Sequence, residues 1–161
     1  MLRHALFATV FTFGLMGAAS AATLHFEASL DRKSEVPPKL GDASGQALAT
    51  LDTATKTLSY TITFGGLSGP ATAAHFHGPA AVGANAGVAV PIGKDLVNPV
   101  TGTATLTDAQ VADLEGGKWY VNVHTAANPG GELRGQLMRS AADGGAMKAS
   151  HGAKAMMPMK H

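Results

Sequence analysis

From Leu24 to Leu30 apolar and polar side chains alternate without a break. Leu24, Phe26, Ala28 and Leu30 fall on one side, and His25, Glu27 and Ser29 on the other. Successive side chains of an extended chain point to opposite faces, so a period of two predicts a strand with one face in a core. The pattern recurs in short pieces along the chain. Gly45 to Leu51 and Thr57 to Phe64 read as a hairpin turning near Asp52 to Lys56. Ala73 to His77, Gly87 to Ile92, Gly102 to Leu106, Trp119 to His124 and Glu132 to Met138 are further strand-like runs, bounded by Gly, Pro or Asn. Val36-Pro37-Pro38 cannot continue a central strand, because proline has no N–H to give to a ladder. A turn is expected at Asn128-Pro129-Gly130-Gly131.

One segment has the other period. Thr107-Asp108-Ala109-Gln110 fits a capping box, with Leu106 before it and Val111 and Leu114 after, and Gly116-Gly117 ends the helix after two turns or so. A single short helix cannot supply the alternation of a parallel α/β sheet, so the expected fold is all-β, an antiparallel sandwich or barrel.

Such a fold must hold without disulfides, since the chain has no cysteine. Thiolate metal sites and thiol redox chemistry are excluded with them. The N-terminus reads as a secretory signal: Arg3 and His4, an apolar run from Ala5 to Ala18, then the small-x-small Ala19-Ser20-Ala21. Residues 1–21 are therefore expected to be removed on export, leaving a secreted or periplasmic protein with no membrane span. Losing Arg3 takes Lys+Arg from 12 to 11 against 11 Asp+Glu, a neutral balance that argues against nucleic acid as partner. Residues 140–161 change to Gly, Ala, Lys, Met and His and read as a disordered tail.

His75 and His77, at i and i+2 of a strand, project from one face about 7 Å apart at Cα, close enough to share a metal ion. His124 ends another strand, with Tyr120 and Asn122 on its face, while Trp119, Val121 and Val123 point the other way as core. Imidazole suits copper and zinc, and copper takes the tighter end of the divalent order. The tail adds Met147, His151, Met156, Met157, Met159 and His161, soft and intermediate donors with no core to fill, suited to capturing copper. Phosphate-binding Gly loops and G-x-S-x-G are absent, and no carboxylate pair stands out for glycoside hydrolysis.

Glu35-Val36-Pro37-Pro38, Gly45, Ala74-His75-Phe76-His77-Gly78-Pro79, Leu114 with Gly116-Gly117, Tyr120-Val121-Asn122-Val123-His124-Thr125 and Pro129-Gly130-Gly131-Glu132-Leu133-Arg134-Gly135-Gln136 follow one another in this order. The series resembles the CHRD family, the chordin-type module that also occurs singly in exported microbial proteins. The resemblance implies a CHRD domain over residues 22–139 with an immunoglobulin-like or barrel-like β fold. It assigns no activity by itself.

The H-x-H strand, the later V-x-V-H strand end and the Gly-Gly turn before Arg also resemble the copper half of Cu/Zn superoxide dismutases. That likeness implies His75, His77 and His124 as ligands and Arg134 as an anion guide, with Glu132 and Asn122 orienting them from behind. The metal-bridging histidine, the zinc loop with its aspartate and the disulfide of those enzymes are missing. An open coordination position could take water, substrate, His25 or a tail residue. Three expectations result: a copper-binding (or zinc-binding) exported protein, a copper redox enzyme of the dismutase type, or a metal-free module that contacts a protein or glycan through Trp119 or Tyr120.

Overall fold

The computed structural model describes residues 21–94 and 96–141. The signal expected at residues 1–21 and the tail expected from residue 140 fall almost wholly outside that range. Within it the chain forms β1 (Thr23–Asp31), β2 (Ser44–Asp52), β3 (Thr57–Gly65), β4 (Ala71–His77), β5 (Val88–Lys94), β6 (Val100–Thr105), α1 (Asp108–Glu115), β7 (Tyr120–Thr125), β8 (Asn128–Gln136) and β9 (Met138–Arg139). The strands make one antiparallel sheet in the order β5-β4-β7-β8-β1-β2-β3-β6, with β9 added beside β1. This is the all-β antiparallel architecture expected, as a nearly closed barrel.

Alternation decides which way each strand faces. Phe26 and Leu30 of β1, Leu51 of β2, Leu58 and Ile62 of β3, Phe76 of β4, Val121 and Val123 of β7 and Leu133 of β8 all enter one core cluster. Tyr60 of β3 meets Phe76 of β4 edge-on at 5.1 Å between centroids. These strands are far apart in the sheet order, so the contact shows the sheet curling over on itself. Trp119 sits behind Phe76 at 6.1 Å and is 1% exposed, as its alternation predicts.

The helix forms as the capping box requires. Thr107 Oγ1 accepts from the Gln110 N–H at 3.2 Å, and the Thr107 N–H donates to Gln110 Oε1 at 2.9 Å. Gly117, at φ 66°, closes the end.

The expected turn at residues 128–131 is displaced. The hairpin between β7 and β8 turns at Ala126 and Ala127, with Thr125 opposite Asn128, and the Pro-Gly-Gly sequence lies inside β8. It forms a bulge: the register slips between the Thr125 and Val123 pairs, and Gly131 adopts φ 124°. Pro129 is tolerated because β8 pairs with β1 only further on, at Asp31 and Arg134, leaving its start open on that side.

Candidate metal centre

β4 and β7 are neighbours, with Ala73 opposite His124, His75 opposite Asn122 and His77 opposite Tyr120. Since Ala74, Phe76, Val121 and Val123 fill the core, the outer face of this pair carries His75 and His77 beside Tyr120, Asn122 and His124. A polar outer face is expected to meet water, and here it does so only in part: His75 and His77 are half-buried. Tyr120 is 3% exposed, Asn122 4% and His124 9%. The loop after β4 and the β8 bulge cover this face and bring backbone carbonyls to it.

Those carbonyls fix the rings. His77 Nδ1 donates to the Ala86 carbonyl at 3.0 Å, and His124 Nδ1 donates to the Pro129 carbonyl at 2.9 Å. A carbonyl can only accept, so each Nδ1 carries the proton and each Nε2 is left with its lone pair. Both Nε2 atoms turn inward. His124 Nε2 lies 3.0 Å from His75 Nδ1, and the ligand-capable nitrogens of all three rings lie within 4.8 Å of one another. Burial, followed by the neighbouring imidazoles of His124 and His77, pushes the His75 pKa down. Burial also lowers His124, against the Pro129 hydrogen bond and with help from His77. Neutral rings with free lone pairs are what a metal ion needs, and an outer hydrogen bond on the far nitrogen is the usual way such rings are held.

The CHRD domain family model matches residues 26–137, which is most of the chain and nearly all of the barrel. The chain belongs to the CHRD family. No curated protein and no solved structure matches it.

The other expected residues of this CHRD domain take different places. Arg134 is 2% exposed, and its guanidinium donates to the Ala84 carbonyl and, at 2.8 Å, to Asn85 Oδ1. Its Cζ lies 3.5 Å over the Tyr120 ring, and Tyr120 stacks on His77 at 4.8 Å. Because β7 runs between β4 and β8, Tyr120 separates the guanidinium from the histidines. The guanidinium therefore pins the covering loop, with Tyr120 between it and the histidines. Glu132 likewise orients neither Arg134 nor an imidazole. It accepts from the Ser68 N–H at 2.8 Å, Ser68 Oγ at 2.5 Å, Thr125 Oγ1 at 2.6 Å and Asn128 Nδ2 at 2.9 Å, with Arg32 at 3.5 Å. Burial would raise its pKa, but these hydrogen bonds outweigh it and bring the group to about 2.

His25 lines a separate groove of about 420 Å³ with Glu27, Leu48, Thr50 and Thr61, away from the trio. Trp119 and Tyr120, the contacts named for a metal-free module, are both buried. Met147, His151, Met156, Met157, Met159 and His161 lie outside the described residues.

Two participants carried no signal as parts of a metal centre. Tyr120 is the ring between Arg134 and His77. Glu35, on the segment after β1, is 3% exposed and lines an open cavity of about 470 Å³ with Lys33, Val82 and Arg134. Its Oε1 is buried without a hydrogen-bond partner. Burial raises its pKa, against the pull of Arg134, the Val36 N–H and Lys39.

Proposed function

We propose that this CHRD domain is an exported metal-binding protein that holds a transition metal ion, copper first and zinc second, through His75, His77 and His124. The observation that supports the reading is the pair of ring nitrogens turned inward, Nε2 of His77 and of His124, each with its Nδ1 proton committed to a backbone carbonyl. Ligand nitrogens about 2.0–2.1 Å from a common ion stand about 2.9–3.4 Å apart. The His75 to His124 spacing of 3.0 Å falls in that interval. When bound, the ion would supply Lewis acidity or a redox couple. The chain's own part is to fix the imidazoles through backbone carbonyls and to cover them in part. On this reading the methionines and histidines of residues 147–161 collect the ion and pass it to the folded site.

Metal content by mass spectrometry, after incubation with Cu(II) or Zn(II) and removal of the excess, tests the reading. One equivalent is expected for the parent protein and loss of most of the affinity for His77→Ala. Deleting residues 140–161 is expected to slow uptake and leave the equilibrium affinity in place. A parent protein that retains no metal overturns the proposal.

A further inference from the structure

Asn122 lies between the two pinned rings. Its Oδ1 is 2.9 Å from His124 Nε2 and 3.1 Å from His77 Nε2. In the neutral rings these contacts are not hydrogen bonds. Both rings already spend their Nδ1 proton on a carbonyl, and a neutral imidazole has no second one. With both rings neutral, three lone-pair atoms, the amide oxygen and two Nε2, face one another, and His75 Nδ1 lies 3.0 Å from His124 Nε2. Bare acceptors crowded together in a low-dielectric setting repel, unless a positive charge lies among them.

A second feature points the same way. Turning the amide over would put its N–H groups on the rings and relieve the conflict, so something must favour the oxygen inward. Glu35 supplies it. A Cβ at Gly131 would overlap Glu35 Oε1 and stand 3.0 Å from Asn122 Nδ2, so the carboxylate and the amide nitrogen share one side of Gly131. That carboxylate oxygen, Glu35 Oε1, is buried without a hydrogen-bond partner. A buried carboxylate draws N–H dipoles toward itself and the carbonyl end away.

Resting on the three-histidine reading above, we propose that Asn122 Oδ1 is a fourth donor to the metal, turned inward by Glu35 as a positioning residue, so that the site is N3O and selects a divalent ion. A hard amide oxygen suits Cu(II) or Zn(II) and adds little for Cu(I), which prefers thioether and imidazole. The folded site and the methionine-bearing tail then differ in the oxidation state they favour.

The test measures Cu(II) and Cu(I) affinities by chelator competition, with electron paramagnetic resonance of the Cu(II) form, on the full mature chain and on Asn122→Ala, Asn122→Asp and Glu35→Gln. Asn122→Ala is expected to weaken Cu(II) binding roughly tenfold to a hundredfold and to change the copper hyperfine splitting, with Cu(I) affinity nearly constant. Asn122→Asp, which keeps an oxygen in place, restores Cu(II) affinity, and Glu35→Gln falls between the parent and Asn122→Ala. Cu(II) binding and spectra that are the same in the parent and Asn122→Ala overturn the fourth donor while leaving the histidines. Equal losses for both oxidation states overturn it too, since they report a structural role. A parent that takes up no copper overturns this inference together with the reading beneath it.

Discussion

Glu132 is the most heavily bonded carboxylate of the barrel, fully buried and serving Ser68, Thr125 and Asn128 at once. Its folded pKa of about 2 lies below the ordinary 4.5, so the native state holds its proton more weakly than the unfolded chain does. The resulting stability is fully present above pH 4.5 and drains away as pH falls towards 2. Urea midpoints across that window should decline for the parent and stay flatter for Glu132→Gln. At pH 7 Glu132→Gln should be less stable by about 1.5–3 kcal/mol, the worth of hydrogen bonds to a charged acceptor.

At this scale the sequence was readable in kind and not in partnership. Histidines at i and i+2 announce a shared face, but that His77 meets Asn122, at a sequence separation of 45, depends on the register of two distant strands. No local pattern encodes that register. Glu35 gave no signal as a site residue, because its role depends on the missing side chain of Gly131, a residue far along the chain.

Elements were legible where their own residues decide them. The alternation of β1 and the capping box of α1 are local, and both form as written. Thr107→Ala should therefore cost about 1 kcal/mol of stability, read by denaturant unfolding, and leave metal uptake unchanged, since α1 carries none of the donors. Pro129-Gly130-Gly131 shows the opposite case. Proline and glycine mark departures from regular backbone, and a turn and a bulge use the same vocabulary. The choice fell to the pairing of Thr125 with Asn128, which gives Ala126-Ala127 the turn and leaves the glycines to bend β8 over His124. Gly131→Ala would force a side chain into φ 124° and onto Glu35. It should lower both thermal stability and copper affinity, whereas a simple loop glycine would change neither.

At the scale of the molecule, an ion bound to the native state alone stabilises it by mass action, about 2.7 kcal/mol at a hundred times Kd. For a barrel of this size the melting temperature should rise on the order of 10 °C with copper, by differential scanning calorimetry, and not at all in His124→Ala. Phe76→Ala, which empties the space between Tyr60 and Trp119, should cost about 3–5 kcal/mol. The all-β class and the core followed from period two. The partial covering of the outer face did not, because polar residues on a strand look the same whether water or a loop lies above them.

Odd and even positions of β4 and β7 answer to separate demands. Phe76, Val121 and Val123 keep the barrel standing, while their immediate neighbours His75, His77, Asn122 and His124 hold the donors on the reverse side. Exchanging one imidazole for another ligand type leaves the interior untouched. If the proposed ion is held there, such a scaffold can over evolutionary time trade one metal for another, or give up the ion altogether, and still fold to the same shape.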